Sequence, residues 1–252
     1  MEGYAIVRHG EPLEHITLPT PVPTGREVLV AVTHAGVCHS DLHLIEGGYD
    51  LGSRGMLDLA KRGLKLPMIP GHEIVGRVVS WGPDADASDL KVGDVRLVFP
   101  WVGCGICVRC RQDEQNLCLT TKPIGMATNG GYATHVVVPE AKFLLDIEGL
   151  DPALASTYAC SGVTVYGAIR KLMPLVADEM VVVIGSGGLG LNAVAILPPG
   201  TTSTVAWTQN GPLLAAAAQT ISGTTTYEIL EYANSGSAWT EKVFGTSPSY
   251  AD

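Results

Sequence analysis

The stretch Met180-Val-Val-Val-Ile-Gly-Ser-Gly-Gly-Leu-Gly-Leu-Asn-Ala-Val-Ala-Ile-Leu197 marks a change in the architecture of the chain. Its first five residues form a continuous apolar run, which is typical of a strand buried on both faces of a parallel sheet. A glycine turn follows, and Leu191 to Leu197 starts an apolar helix that Pro198 and Pro199 end. The order of strand, glycine turn and helix predicts the first unit of a parallel α/β sheet.

The glycines of this turn have the spacing Gly-x-Gly-x-x-Gly of a dinucleotide fingerprint. They are Gly185, Gly187, Gly188 and Gly190. Glycine lets the backbone approach a pyrophosphate, whose charge faces the N-terminus of the following helix. An NAD site usually has Asp or Glu about 20 residues further on, but Trp207 to Asn210 contains no acidic residue and no Arg. The motif therefore predicts a dinucleotide site and leaves NAD and NADP both open.

Upstream, four of the six cysteines lie in one short segment. They are Cys104, Cys107, Cys110 and Cys118. Their spacing allows one loop to surround a tetrahedral Zn²⁺ with four thiolates, which leaves no position for a substrate. The alternative is a set of reduced cysteines packed in a core, but the flanking Arg and Gln fit an exposed lobe. We interpret the segment as a structural zinc site.

The other two cysteines lie far apart, each beside further candidate ligands. Cys38-His39-Ser40-Asp41-Leu42-His43 is one such segment, Gly71-His72-Glu73 is a second, and Cys160 lies in a third. The first segment alone could be a polar turn. Two cysteines and one histidine would leave the fourth tetrahedral position open, as a catalytic zinc requires. The remaining histidines do not lie beside other candidate ligands in the sequence, and we interpret them as ordinary surface or core histidines.

The rest of the chain suggests two domains. Short β-branched runs before residue 140 indicate a partly open barrel, as at Val28 to Thr33 and Ile74 to Ser80. A helix is predicted near Gly55 to Lys65, and another from Asp151 and Pro152 to Lys171 with a break at Ser161-Gly162.

Composition limits the partners. The net charge of -9 and the pI near 5.2 argue against binding to nucleic acid or an anionic membrane. The longest apolar runs are too short to cross a bilayer, and the N-terminus lacks a signal-peptide pattern. Clustered cysteines in a chain of this size are better interpreted as ligands than as disulfides. We expect a cytoplasmic protein with a small-molecule substrate.

The order of these motifs resembles the zinc-dependent medium-chain alcohol dehydrogenases over about residues 1–197. The resemblance implies an α/β plus β fold: a GroES-like, partly open β-barrel catalytic domain at 1–160, followed by a Rossmann-type domain at 161–252. It also implies two zinc ions per chain and NAD or NADP. The resemblance implies a possible homo-oligomer that associates through the Rossmann sheet, although we expect that interface to be missing from this sequence.

The resemblance also implies roles for individual residues. Cys38, His72 and Cys160 would bind the catalytic zinc, with Glu73 close enough to approach it during ligand exchange and Asp41 orienting His72. Ser40 would take the alcohol proton and pass it through the cofactor ribose to His43. His39 would lie near the pyrophosphate, and Thr164 near the nicotinamide.

The implied reaction is hydride transfer from a primary or secondary alcohol to the nicotinamide, giving an aldehyde or ketone, with zinc as a Lewis acid that lowers the pKa of the alcohol. The alternative is a non-catalytic zinc-binding fragment without hydride transfer. A cofactor-free zinc hydrolase or a thiol redox sensor would use the same open site, but nothing in the sequence favours either.

The C-terminal part departs from the family. A complete dinucleotide domain needs on the order of 130 residues, whereas residues 180–252 number 73. We therefore expect an incomplete Rossmann-type sheet and no return of the chain to the catalytic domain. The tail at 198–252 is rich in Ser and Thr and resembles nothing familiar. We expect strands at Thr204 to Trp207 and Thr225 to Leu230 and a helix at Pro212 to Thr220.

Overall fold

The computed structural model describes residues 1–174, 180–185 and 187–197, together with the backbone of four strands between residues 202 and 247. The chain divides into two compact units, Met1–Cys160 and Ser161–Asp252. Each unit is described by itself below.

The first unit is built on a five-stranded antiparallel sheet with the strand order β8-β3-β6-β7-β9. Two hairpins accompany it, β1 with β2 and β4 with β5. The strands are β1 (Glu2–Ala5), β2 (Glu14–Thr17), β3 (Val28–Gly36), β4 (Gly48–Asp50), β5 (Met56–Asp58), β6 (Glu73–Trp81), β7 (Val95–Val98), β8 (His135–Val138) and β9 (Leu144–Asp146). This arrangement fits the predicted barrel-like, strand-rich first domain.

The central pair of this sheet, β3 and β6, places the two halves of the candidate site side by side. The pair runs antiparallel, so Gly36 at the end of β3 lies opposite Glu73 at the start of β6. Cys38 lies two residues after the end of β3, and His72 directly precedes β6. Behind them a cluster of mainly β-branched residues forms the main core: Val28, Val30, Ile74, Val78, Val98, Val102, Ile124, Val136, Val138, Phe143 and Leu144.

Five α-helices lie in the described part of the chain. They are α1 (His39–Glu46), α2 (Val108–Arg111), α3 (Pro152–Thr157), α4 (Val163–Arg170) and α5 (Gly188–Ile196). The predicted start of α3 is confirmed: Asp151 accepts a hydrogen bond from Leu154 N at 2.9 Å, and Pro152 occupies the first turn. The predicted break is confirmed too, because a π-helical turn, Tyr158–Gly162, separates α3 from α4.

The helix predicted near Gly55 to Lys65 is wrong. Strand β5 occupies part of this segment, and short 3₁₀ turns occupy Gly52–Arg54 and Ala60–Arg62. Glycines with positive φ, Gly52, Gly55 and Gly63, interrupt any continuous helix here. The apolar spacing reflects packing instead, since Leu59 and Leu64 contact a cluster around Ile6, Leu44 and Met68.

The second unit starts as the sequence predicts. Strand β10 (Met180–Ile184) pairs in parallel with β11 (Thr202–Trp207), and α5 lies between them in the chain. Ala193 of α5 packs against Val165 and Ile169 of α4. This is the βα unit that the stretch Met180 to Leu197 indicates, and it agrees with the predicted Rossmann-type fold of the second unit.

Beyond β11 the sheet is antiparallel. Strands β12 (Leu213–Ile221), β13 (Thr224–Asn234) and β14 (Trp239–Ser247) follow in order. The strands predicted at 204–207 and 225–230 are confirmed, whereas the helix predicted at 212–220 is wrong. Five, two and four residues separate these strands, which is too short for the crossover helix that parallel pairing needs.

None of the helices in the described residues has the length and hydrophobicity that crossing a membrane requires.

The core around β3 and β6 yields a prediction about stability. Ile74 has no exposed surface, so Ile74→Ala should leave a cavity and lower the free energy of unfolding by about 2–5 kcal/mol. Urea unfolding followed by circular dichroism measures the loss. The control is Val22→Ala, because Val22 is 81% exposed and should change stability by less than about 0.5 kcal/mol. Similar losses in both variants would contradict this assignment of the core.

Candidate metal centres

The first segment of the site is held by a helix cap. Cys38 is the N-cap of α1, with extended backbone at φ −105° and ψ 153°. Its backbone N–H donates to the carboxylate of Asp41 at 2.9 Å, as in a capping box. This bond fixes the turn that carries Cys38, His39 and Ser40 into the start of the helix.

The second segment depends on glycine. Gly71 has φ +94°, and a Cβ there would lie 2.8 Å from Cε1 of Tyr132, so both backbone conformation and space require glycine. The next residue, His72, is completely buried. An aromatic ring, Trp101, lies edge-on to the imidazole with 6.0 Å between ring centroids.

Cys160 is presented by the π-helical turn between α3 and α4. The indole N–H of Trp101 donates to the Ala159 carbonyl at 2.8 Å, which ties this turn to the loop after β7. Irregular turns of this kind often occur at functional sites, because they redirect a side chain within a helix.

These segments bring four candidate ligands together. The ligand atoms of Cys38, His72, Glu73 and Cys160 all lie within 4.8 Å of one another, and the two Sγ atoms are 3.7 Å apart. Two sulfurs bound to one tetrahedral zinc at about 2.3 Å would lie about 3.8 Å apart. Both ring nitrogens of His72 are buried without a hydrogen-bond partner among the described residues. Such a buried imidazole beside two sulfurs suits a zinc ion.

The close contacts in this cluster shift the pKa values of its ionisable side chains. The contact with the Cys160 thiol at 3.7 Å and the nearby His72 ring lower the pKa of Cys38 well below its usual range. The bond to Cys38, together with burial, raises the pKa of Cys160 far above its usual range. Burial opposes protonation of His72, but Asp41 and Cys38 outweigh it and raise the pKa of His72 to about 9. These shifts favour a thiolate at Cys38, a thiol at Cys160 and an imidazolium at His72 near neutral pH.

Glu73 completes the cluster as a carboxyl of variable charge. It is only 5% exposed, and burial together with the negative charge of Cys38 raises its pKa to about 7. The side chain can therefore carry or release a proton near neutral pH.

Asp41 lies behind the cluster and joins three segments. Its carboxylate accepts hydrogen bonds from Cys38 N, from Gly71 N at 3.2 Å and from the Tyr132 hydroxyl at 2.8 Å. Its Oδ1 lies 3.4 Å from Nδ1 of His72, an ion-pair contact without hydrogen-bond alignment. Burial opposes the ionisation of Asp41, but the contacts with His72, Cys38 N and Tyr132 outweigh burial and lower the pKa of the carboxyl.

Tyr132 is a member of this site that sequence reasoning missed. Burial and the neighbouring Asp41 raise the pKa of its hydroxyl above the usual range, so it remains a hydrogen-bond donor. Only Gly130 and Gly131 precede it as a local cue, and they indicate a turn. Tyr132 reaches Asp41 because its ring packs against Gly71, and no spacing in the sequence reveals that contact.

The four-cysteine lobe forms a second cluster. The ligand sulfurs of Cys104, Cys107, Cys110 and Cys118 also lie within 4.8 Å of one another. Backbone N–H groups point at them: Cys104 N and Thr120 N donate to Cys118 Sγ at 3.4 Å each, and Cys110 N donates to Cys107 Sγ at 3.5 Å. Backbone bonds lower the pKa of Cys104 to about 6. Such donors favour thiolates, which is the form that binds zinc.

The remaining residues of the predicted active site lie on α1. The rings of His39 and His43 meet edge to face with centroids 4.8 Å apart, and His43 contacts the ring of Tyr49 at 4.5 Å. The Ser40 side chain lies close to Cys38 and Tyr49. Tyr49 is a second residue that sequence reasoning missed, since it follows α1 in a strand without a motif. The catalytic roles of His39, Ser40 and His43 stay predictions.

The fingerprint glycines form the turn into α5. Gly187 is the N-cap of α5, and a Cβ on Gly190 would overlap the carbonyl oxygen of Gly185. A Cβ on Gly187 or Gly188 would meet nothing within 4 Å, so this backbone is open for a close approach. Ser186 lies outside the described residues. Thr164 is exposed on α4, and the cofactor roles of these residues also stay predictions.

The two clusters predict different effects of cysteine substitution. Cys38→Ser should remove about one zinc per chain and leave the melting temperature nearly unchanged, because the cap and the core remain. Cys107→Ser should also remove about one zinc but lower the melting temperature, because the lobe has few apolar contacts besides its ligands. Elemental analysis and calorimetry measure both effects. Equal loss of fold in the two variants would contradict this division.

Zinc binding should also release protons. The Cys160 thiol and the His72 imidazolium must both be deprotonated to bind metal, so zinc affinity should fall as the pH drops below about 9. Near pH 7.5, Cys160→Ser should release at least one proton fewer per chain than the parent, because a serine hydroxyl does not ionise at this pH and the open site then loses its affinity for zinc. A pH-indicator dye measures the release, and the lobe contributes equally to both proteins. Identical release would contradict a Cys160 ligand.

Comparison with known proteins places this geometry in a family. The family profile for the alcohol dehydrogenase GroES-like domain matches residues 24–148. An NAD-dependent alcohol dehydrogenase of Sulfurisphaera tokodaii is 38% identical over 196 residues, which is 78% of this chain and 55% of that protein. The chain therefore spans about half the length of the curated relatives that it matches.

Solved structures of dehydrogenases are similar to this chain. The D-arabinose dehydrogenase from Sulfolobus solfataricus superimposes with a TM-score of 0.70 at 29% identity, covering 83% of this chain and 61% of that one. The cobalt- and zinc-bound thermostable alcohol dehydrogenase from Pyrobaculum aerophilum gives a TM-score of 0.65 at 30% identity, covering 77% and 55%. By these matches, this protein belongs to the zinc-type medium-chain alcohol dehydrogenase family.

Proposed function

We propose that this chain carries the catalytic half of a zinc-dependent oxidoreductase that moves hydride between a primary or secondary alcohol and NAD or NADP. The observation that supports this most is the contrast between the two clusters. The lobe offers four sulfurs and no open position, whereas Cys38, His72 and Cys160 leave a fourth position for an oxygen of the substrate. A metal used only for folding would not need that second, open set.

The chain's own residues fit this chemistry. When bound, zinc supplies a Lewis acid for the alcohol oxygen and the nicotinamide accepts hydride. Asp41 orients His72 from behind, while Tyr132 and Gly71 hold Asp41. These contacts keep the ligand set rigid before any substrate arrives.

A proton path runs along α1. Ser40 and His43 are three residues apart, so they project from the same face of the helix. Ser40 lies next to Cys38 and would take the proton of the alcohol. The His43 side chain is 28% exposed and would pass the proton to solvent. Tyr49 contacts both residues and would hold them in line.

The glycine turn at Gly185 to Gly190 would hold the pyrophosphate at the N-terminus of α5. None of the six cysteines forms a disulfide in the described residues, which supports a role as zinc ligands in a reducing cytoplasm. Substrates would be small alcohols, aldehydes or ketones rather than macromolecules.

A second candidate function rests on a specific observation. Among the described strands of the second unit, only β10 and β11 are parallel, and β11 to β14 form antiparallel pairs, whereas dinucleotide domains use parallel strands. A chain that binds both zinc ions but lacks hydride transfer would follow if this sheet does not hold the cofactor.

The test is turnover by the zinc-loaded full chain. Reduction of NAD or NADP with a panel of alcohols, followed by absorbance, should show activity, and Ser40→Ala should lower kcat by on the order of a hundredfold because proton transfer is lost. Ser53→Ala, at an exposed position outside the site, is the matched control. A sample with two zinc ions that neither binds nicotinamide nor turns over would favour the non-catalytic alternative.

A further inference from the structure

Gly36, the last residue of β3, lies next to the cluster of candidate zinc ligands. It lies opposite Glu73 in the antiparallel pair of β3 and β6, where side chains of opposite residues are neighbours on the same face of the sheet. Gly36 is not among the glycines with positive φ. Its backbone conformation is therefore open to any residue, and the missing side chain needs another explanation.

The space over Gly36 is filled by Glu73. A Cβ built on Gly36 would have three nearest atoms, and all three belong to Glu73: the carboxylate oxygen Oε2, Cβ at 2.9 Å and Cδ at 3.1 Å. Contacts this short are not tolerated, so either the Glu73 side chain or the strand pair would have to move. The carboxyl group of Glu73 thus rests directly against the bare backbone of β3.

That resting place keeps the carboxyl beside the open metal set. A carboxylate oxygen of Glu73 lies within 4.8 Å of the ligand atoms of Cys38, His72 and Cys160, and the side chain is 5% exposed. A carboxylate is itself a good zinc ligand. From this position it can replace a departing ligand without a large rearrangement.

We propose that Gly36 is a positioning residue: by lacking a side chain, it holds the Glu73 carboxyl within reach of the open metal site, where the carboxyl speeds ligand exchange. The inference rests on the proposed zinc chemistry and extends it to a residue outside the ligand set.

A double-mutant cycle tests it. Glu73→Gly removes all three atoms that a methyl group at position 36 would meet. In zinc-loaded full-length protein, Gly36→Ala and Glu73→Gly should each slow zinc release from the open site on the order of tenfold. The double variant should be no slower than Glu73→Gly and should melt at a higher temperature than Gly36→Ala. Stopped-flow transfer of zinc to pyridylazoresorcinol measures release, and the lobe zinc serves as an internal reference.

A matched control separates positioning from strand damage. A Cβ on Gly76 would also clash within the β3 and β6 pair, but against Ala31 and Val30. Gly76→Ala should therefore lower the melting temperature without slowing zinc release from folded protein. Slowing in Gly76→Ala equal to that in Gly36→Ala would overturn the proposal.

The remaining outcomes are also decisive. The proposal would be refuted if Gly36→Ala released zinc at the parent rate. It would also be refuted if the effects of the two substitutions on zinc release multiplied in the double variant. If Gly36→Ala does not fold, refolding in the double variant supports it, and failure of the double variant while Glu73→Gly folds refutes it. Zinc release needs no turnover, so an inactive chain that obeys the cycle would refute the proposed function and leave the role of Gly36 intact.

Discussion

The candidate active site depends on a buried carboxylate, Asp41, that is 1% exposed. A buried charge of this kind is stable only with hydrogen-bond partners around it. Asp41 obtains them from three segments of chain, through Cys38 N, Gly71 N and the Tyr132 hydroxyl, and it faces the ring of His72. Because the same bonds position two of the candidate metal ligands, satisfying the carboxylate and assembling the site are one process.

Glycine and antiparallel pairing supply the remaining geometry. Gly71 lets Tyr132 approach Asp41, and Gly36 leaves room for Glu73. The pairing of β3 with β6 brings the residues after one strand next to those before the other. A close-packed interior cannot absorb an added methyl group at such points, which is why the smallest residue occupies both. The lobe needs less of this support, since its four cysteines lie close in sequence and receive backbone N–H groups from their own loop.

Local sequence patterns predicted some elements of the fold and failed for others. The strand, glycine turn and helix from Met180 to Leu197 were predictable because a buried parallel strand and a fingerprint turn have their own composition. The helix expected at 212–220 was wrong, since an alanine-rich run favours helix in isolation while strand pairing on both sides decides its conformation here. The helix expected near Gly55 to Lys65 failed for a related reason. Its apolar spacing serves packing, and its glycines forbid the helix.

The sequence by itself determined the chemistry of this protein: which side chains can bind metal, the closed lobe of four cysteines, and the order of motifs that marks the family. Those features are local, because residue type and short spacing carry them. Only the tertiary structure decided that Cys38 and Cys160, 122 residues apart, bring their sulfurs to 3.7 Å. The same is true of Tyr132 on Asp41 and of Gly36 beneath Glu73. Contacts between distant segments follow from strand pairing and packing, which no spacing along the chain records.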